Sequence, residues 1–302
     1  MRPEPLCAAL LLAAGVVFSG CSDEPVPFTP EPTDAAATVD AGADTDAEAL
    51  EDAGGLTDRG VIPIRDTGSN PNIDNTVVYA HDDNELYAVD PRTNRLRRIA
   101  AFVWPSGPHT SMTDLAVDAM GEVVACSRDA LYRVDVTNAR LTKITNFAES
   151  QVFYGLTYLP AGVLDADREV LVGATSNGTY YRIDPSNGRL TRLGQFQNSW
   201  TLSGDIVSIA GERTYATVRR SGSTNDSLAE LNTRTGSLRI IGDTGFASIY
   251  GLGYWRQTLY GFTRAGEFIT INSSTGRGTR QSMPTMEFSG AGVTTTAPIA
   301  PP

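Results

Sequence analysis

The sequence predicts an all-β fold, a five-bladed β-propeller of four-stranded antiparallel blades, and three observations lead to it. A five-residue phrase that ends in Asp or Asn occurs five times, closing at Asp90, Asp135, Asp184, Asn232 and Asn272. The intervals between these closing residues are 45, 49, 48 and 40 residues, a period that suits one blade per repeat. Each phrase continues into turn residues and a further strand. The chain also ends on a strand that the first repeat lacks.

The segment after each phrase has the composition of a hairpin turn. In the third repeat it reads Asp184-Pro185-Ser186-Asn187-Gly188, where Pro presets φ, Gly accepts the left-handed conformation and Asp can bond the N–H groups of the turn. The strand that follows begins with a basic or polar side chain, as at Arg189. Because charge on an unpaired strand discourages edge-to-edge pairing, this strand is predicted to be the outermost of its blade.

Short apolar runs rich in small residues lie between the repeats and are predicted to form the innermost strands. They are residues 114–117, 155–158, 205–208, 251–254 and 290–293. Small side chains are expected there because the blades converge on the axis. The run at 290–293 is the last, and the first repeat, which starts near Thr76, has none before it. The terminal strand is therefore predicted to complete the first blade and close the ring. A double sheet of the same strands is the alternative architecture.

The first 21 residues have the pattern of an export signal. Arg2 precedes an apolar run over residues 6–18, and Ser19 and Gly20 lie directly before Cys21. The run is too short for a lasting membrane-spanning helix, and the segment resembles a bacterial lipoprotein signal peptide. That resemblance implies cleavage before Cys21, acylation of Cys21 with chains such as palmitate and, with Ser22 next, delivery to the outer membrane of a Gram-negative host. An ordinary secretory signal is the alternative.

Residues 22–72 are expected to form an acidic, disordered tether, followed by the propeller domain at 73–297 and a disordered tail at 298–302. Residues 22–70 contain 12 acidic and 2 basic side chains, whereas residues 71–302 contain 21 basic and 22 acidic ones. Low hydrophobicity with high charge prevents a segment from burying a core. The near-neutral domain lacks the basic surface of a nucleic-acid-binding protein, and a monomer is expected.

The third repeat carries a resemblance to secreted bacterial propellers. Residues 180–194 match their Leu-Tyr-x-Ile-Asp-Pro-x-Thr-Gly phrase best, and the repeats cover about three quarters of the chain. The resemblance implies the fold and leaves the activity open. Quinoprotein propellers share the Asp-x-x-Thr-Gly turn, but the Trp that follows it in them is missing from every repeat of this chain. A quinone cofactor is therefore not expected.

Five residues are candidates for a ligand site at one mouth of the central channel. Asp114 and Asp205 occupy one repeat position in alternate blades, Tyr154 and Tyr250 lie nearby, and His109 precedes Asp114 in a loop. Two carboxylates facing one channel could bind a divalent cation such as calcium through oxygen ligands, or act as an acid and base on a glycan. The alternative is that the aspartates only satisfy backbone N–H groups or ordered water at the strand ends.

The function that the sequence favours is a membrane-anchored binding or scaffold module for a protein or glycan. No catalytic residue is assigned, because the two histidines lie in no triad or metal-binding spacing and no nucleophile elbow is present. A hydrolase or lyase acting on a glycan or lactone through Asp114 and Asp205 is the alternative. A purely structural role in the cell envelope also remains open.

Overall fold

The computed structural model describes residues 74, 76–147, 151–284 and 286–301. The predicted signal peptide with Cys21 and the predicted tether up to residue 72 lie outside these residues. The described residues form five antiparallel sheets of four strands each and contain no helix. Accordingly, this part of the chain includes no helix with the length and apolar character needed to cross a bilayer.

Each sheet is one blade, and its four strands follow one another outward from the propeller axis. The first blade comprises β20 (Gly290–Gly292), β1 (Val78–His81), β2 (Glu85–Asp90) and β3 (Arg95–Ala101). The second comprises β4 (Met112–Val117), β5 (Val123–Ser127), β6 (Ala130–Asp135) and β7 (Arg140–Asn146). The third comprises β8 (Gly155–Leu159), β9 (Val170–Ala174), β10 (Thr179–Ile183) and β11 (Leu190–Gln195). The fourth comprises β12 (Thr201–Ser208), β13 (Thr214–Arg219), β14 (Ser227–Leu231) and β15 (Leu238–Asp243). The fifth comprises β16 (Ile249–Trp255), β17 (Thr258–Thr263), β18 (Phe268–Asn272) and β19 (Gly278–Ser282).

Ring closure by the last strand is confirmed. β20 pairs antiparallel with β1, with Gly292 opposite Tyr79 and Gly290 opposite His81. The five inner strands β4, β8, β12, β16 and β20 follow one another around the axis, each in contact with the next. The first blade is therefore built from both ends of the domain, which leaves no sheet end open.

Burial follows the predicted order of strands. All residues of β4 and β20 are buried, whereas the side chains of the outer strands are exposed or half-buried apart from Leu141 in β7. The largest buried side chains lie between blades, and they include Tyr132, Tyr180, Tyr215 and Tyr254. Apolar surface buried in this way is the main source of stability in such a fold.

The turn after each phrase has the predicted hydrogen bonds. In every repeat the closing side chain accepts a hydrogen bond from the backbone N–H two residues on, as from Ser186 to Asp184 Oδ1 at 2.9 Å. The fifth turn residue has positive φ in all five, including Ala139 at 55°. At Gly236 space is limiting as well, since a Cβ would lie 2.2 Å from the carbonyl oxygen of Gln195 in the preceding blade. These turns therefore also serve as contacts between blades.

Each outer strand carries a bulge at the same repeat position. One residue per outer strand lacks a partner on the third strand, namely Ile99, Ile144, Leu193, Ile241 and Gln281. A bulge bends a strand and increases its twist. The sequence period alone gave no indication of these insertions.

Candidate functional site

The candidate residues lie at one end of the propeller, which we call the mouth face. It is formed where the chain passes from each outer strand to the next inner strand, in residues 102–111, 151–154, 196–200, 244–248 and 286–289. The turns between second and third strands lie on the same face. The opposite face carries the turns between first and second strands, including Met120, which is 86% exposed.

Asp114 and Asp205 are brought together at the axis, just below the mouth face, and both are 0% exposed. Asp114 Oδ2 accepts a hydrogen bond from the backbone N–H of Leu156, on the inner strand of the third blade, at 2.5 Å. Asp205 Oδ2 accepts one from the N–H of Leu252, on the inner strand of the fifth blade, at 2.6 Å. Asp205 Oδ1 accepts a third from the N–H of Ile206 at 2.5 Å. Both carboxyl groups thus join the inner strand of their own blade to that of the next.

The positions around these carboxyl groups explain why the pair fits. At the repeat position of Asp114 and Asp205 the other three blades have glycine, at Gly155, Gly251 and Gly290. A Cβ on Gly290 would lie 2.4 Å from Asp114 Oδ1. This layer has five positions, one from each blade. Three of them have no side chain, which leaves room for the two aspartates.

The two carboxyl groups are electrostatically coupled. Burial, followed by the nearby charge of Asp205, raises the pKa of Asp114 well above its ordinary value. Burial also raises the pKa of Asp205, although the contact with Asp114 and the hydrogen bond from the backbone N–H of Leu252 act against it. Asp114 is therefore the carboxyl group that retains its proton more readily. A pair of this kind titrates as one coupled unit.

Two further titratable groups border the pair, and sequence reasoning missed one of them. His81, on β1, is 0% exposed, and burial lowers its pKa. Cys126, on β5, lies opposite Asp114 in the strand register, and burial raises its thiol pKa to about 12. The register of β20 against β1, which places His81 opposite Gly290, is the signal that could have identified His81.

The other predicted site residues surround the mouth at greater exposure. Tyr154 and Tyr250 are half-buried, and the Cα of Tyr250 lies 2.5 Å from where a Cβ on Gly204 would be. His109 is exposed and stacks on Trp104, with ring centroids 4.1 Å apart and planes 5° from parallel. The structure therefore separates the buried aspartate pair from an aromatic rim.

The rim contains one further aromatic site. The guanidinium of Arg220, in the turn between β13 and β14, lies 4.3 Å from the ring centroid of Trp200. Trp200 packs against the apolar cluster that contains Leu202 and Phe196. This cation–π contact fixes the ring while the exposed Arg220 keeps hydrogen-bond donors available to solvent.

An ion pair between buried Asp226 and partly exposed Arg219 also went unrecognised in the sequence. Asp226 is 0% exposed and accepts hydrogen bonds from Arg219 Nη2 at 2.7 Å and from the N–H of Ile249, in the next blade, at 2.7 Å. Asp226 thus repeats the use of an aspartate as a link between blades. Its place in a loop of polar residues gave no sign of burial.

The geometry at the axis bears on the cation hypothesis. Among the described residues no group of three or more His, Cys, Asp and Glu side chains converges as a metal site. Three of the four oxygens of Asp114 and Asp205 accept backbone hydrogen bonds. Calcium binding at this pair therefore stays a prediction from the sequence.

No protein-family model and no curated protein sequence matches this chain. Among solved structures it is similar to a chain of a nidogen/laminin complex, with a TM-score of 0.46 and 11% identity over 72% of this chain and 98% of that one. It is also similar to a protein of unknown function from Bacteroides caccae, with a TM-score of 0.41 and 11% identity over 72% and 98%. A third, from Bacteroides thetaiotaomicron, has a TM-score of 0.45 and 15% identity, and the match spans 68% of this chain and only 55% of that one. At these identities the likeness extends to the fold alone.

Proposed function

We propose that the protein is a lipid-anchored binding module at the outer membrane that presents its mouth face to a protein or glycan partner. The observation that carries the proposal is the aromatic rim: Trp104 with His109, Trp200 with Arg220, Tyr154 and Tyr250. Aromatic and Arg side chains contribute a large share of binding energy in recognition surfaces. Rings also stack on the apolar faces of sugars.

The rim is fixed in position before any partner arrives. Trp104 contacts Phe102 and Tyr132 edge to face, with centroids 6.2 and 5.4 Å apart, in addition to its stack with His109. The guanidinium of Arg220 lies over the ring of Trp200. Side chains that are already ordered lose less entropy on binding. The mouth face is therefore suited to a partner in a way that mobile surface aromatics are not.

The position of Asp74 indicates on which face the chain enters the propeller. Asp74 Oδ2 accepts a hydrogen bond from Trp255 Nε1 at 2.5 Å, and Asp74 Oδ1 lies 3.4 Å from Arg92 Nη2. Trp255 ends an inner strand and Arg92 lies in a turn between third and fourth strands, so Asp74 lies on the face opposite the mouth. The chain therefore enters the described domain on the face opposite the mouth.

The burial of Asp114 and Asp205 favours a binding function over a catalytic one. A hydrolase or lyase would need its acid and base in contact with substrate, whereas Asp114 and Asp205 are fully buried and hold inner strands together. The proposal therefore rests on the rim and does not use the pair.

The test measures binding of the full chain to a panel of purified glycans and purified envelope proteins, with Trp104→Ala and Trp200→Ala as rim variants. For any partner that binds, each rim variant is expected to weaken affinity at least about tenfold, which is typical of interface hot spots. Met120→Ala is the matched control, because Met120 is exposed on the opposite face. Equal affinity of wild type and both rim variants would refute a role for the mouth face.

Anchoring requires a separate test. Metabolic labelling with a radioactive fatty acid is expected to mark the wild type and Cys126→Ser, and to leave Cys21→Ser unmarked. Fractionation of a Gram-negative host on a density gradient is expected to place the labelled protein with the outer membrane. Label on Cys21→Ser, or recovery with the inner membrane, would overturn this part of the proposal without affecting the rim.

A further inference from the structure

Two buried polar atoms at the axis face one another without a hydrogen-bond partner among the described residues: His81 Nε2 and Asp114 Oδ1. Both residues are 0% exposed. Buried polar atoms are rarely left unpaired, because desolvation without a compensating hydrogen bond is costly. The pair therefore calls for a third group between the two atoms.

Gly290 locates the space between them. A Cβ on Gly290 would lie 2.4 Å from His81 Nε2 and 2.4 Å from Asp114 Oδ1. The two atoms are consequently no more than twice that distance apart, and no hydrogen bond joins them. Because Gly290 has no side chain, no side-chain atom of residue 290 separates them.

The hydrogen-bonding character of each atom defines what can bind. His81 Nδ1 lies 2.8 Å from the carbonyl oxygen of Asp82, which only accepts, so Nδ1 carries the proton. Nε2 of the neutral ring is then a lone-pair acceptor, consistent with the lowered pKa of this buried histidine. Asp114 Oδ1 accepts a hydrogen bond, or donates one if it carries the carboxyl proton. A molecule that bridges the two atoms must donate a hydrogen bond to His81 Nε2. It must also be able to donate a hydrogen bond to Asp114 Oδ1 or to accept one from it.

Water meets both requirements, and a single molecule with hydrogen bonds of about 2.8 Å can bridge two atoms at this separation. A buried water typically makes two to four hydrogen bonds to otherwise unsatisfied polar groups. We infer that one water molecule is bound at the propeller axis beside Gly290, where it donates to His81 Nε2 and bonds Asp114 Oδ1. It links the first blade to the second, where β20 and β4 meet, and extends the hydrogen-bond chain that Asp114 and Asp205 continue into the third and fifth blades.

This inference goes beyond the proposed function and does not depend on it. With the water in place, a continuous layer of polar groups crosses the inner strands. It consists of the water, His81, Asp114 and Asp205. A ligand would then be received above this layer, at the mouth face, and not within the axis.

The first test uses the full chain labelled with ¹⁵N-histidine, which gives two ring systems because the sequence has two histidines. Long-range proton–nitrogen correlation is expected to show His81 as the neutral Nδ1–H tautomer with Nε2 accepting a hydrogen bond. Cross-relaxation from the His81 ring protons is expected to show a long-lived water, while exposed His109 shows only exchanging solvent. A charged His81 ring, an Nε2–H tautomer or no long-lived water at His81 would overturn the inference.

The second test counts long-lived waters by oxygen-17 relaxation dispersion. His81→Phe removes the Nε2 acceptor and fills the gap, so it is expected to have one long-lived water fewer than the wild type. His109→Phe is the matched control and is expected to leave the count unchanged. An unchanged count in a folded His81→Phe protein would contradict the inference. Should His81→Phe not fold, a crystal structure of the wild type decides, by density or its absence about 2.8 Å from both atoms.

Discussion

The backbone N–H of Leu156 in the third blade donates a hydrogen bond of 2.5 Å to the Asp114 carboxyl group of the second blade. A side chain at the axis thus replaces the strand-to-strand hydrogen bonds that separate sheets cannot make with each other. Asp205 does the same between the fourth and fifth blades, and Asp226 does so farther from the axis. Carboxyl groups are therefore structural links in this propeller.

Replacement of Asp114 by Asn is expected to make stability less dependent on pH. Because the pKa of Asp114 is raised in the fold, its contribution is fully present below the unfolded pKa of about 3.9. That contribution is lost as the pH rises towards the folded pKa, with a slope of up to about 1.4 kcal/mol per pH unit. Asn stays neutral and can still accept from Leu156. The variant should therefore gain stability relative to wild type from pH 5 to pH 9 in thermal unfolding. The control, exposed Asp167→Asn, should follow the wild-type curve, and a parallel curve for Asp114→Asn would contradict the raised pKa of Asp114.

Replacement of Asp226 by Ala is expected to lower the free energy of unfolding by about 3 kcal/mol, since it leaves Arg219 and the N–H of Ile249 without their acceptor. Arg219 is partly exposed and can be hydrated, which keeps the loss below that of a fully buried pair. Urea denaturation measures the change. Asp243→Ala, at an exposed carboxylate, should cost less than about 1 kcal/mol. Similar losses in the two variants would rule out the proposed link.

Removal of residues 290–302 is expected to abolish cooperative unfolding, because it deletes β20 and opens the first blade. Removal of residues 299–302 alone should shift the melting temperature by only a few degrees. That shorter deletion keeps β20 and the hydrogen bond from the Arg256 N–H to the Pro298 carbonyl, and loses the one from Arg256 Nη1 to Pro301. Calorimetry of both truncations distinguishes them. A cooperative transition in the longer deletion would show that closure is dispensable.

Replacement of Gly204 by Ala is expected to be among the most damaging single changes, costing about 3 kcal/mol or more. Its Cβ would lie 2.1 Å from the carbonyl oxygen of Ile249, where the fourth and fifth blades meet. The adjacent Ser203→Ala is the control: it removes a buried Oγ that has no partner among the described residues and should be neutral or slightly stabilising. Chemical denaturation of both proteins tests this, and comparable stability would mean that the inner strands can separate.

The sequence was sufficient to predict five blades, the order of their strands and the closing strand, because a repeat imposes the same local rules five times. The Asp184 turn, for example, has its cause in residues 184–188 themselves. The set of side chains that meet at the propeller axis was harder to predict. That Asp114 and Asp205 share a repeat position was visible, but that His81 lies beside them depends on the register between β20 and β1, which lie at opposite ends of the domain sequence.

Other parts of the site depend on features that a period cannot reveal. Between its paired positions Leu202 and Ile206, β12 has two residues more than the facing stretch of β13. Asp226 lies in a polar loop, and its buried carboxyl group accepts a hydrogen bond from Ile249 in the next blade. The contact that explains Asp226 is thus with a neighbouring blade, and no local pattern encodes it.

The bulges in the outer strands affect how copies of this protein meet in a crowded environment. Two copies that meet side by side present outer strand to outer strand. Each of these strands is interrupted at one point, at Ile144 or Leu193 for example, and each carries at least one arginine. Two such strands cannot align over their full length, which disfavours a continuous intermolecular sheet.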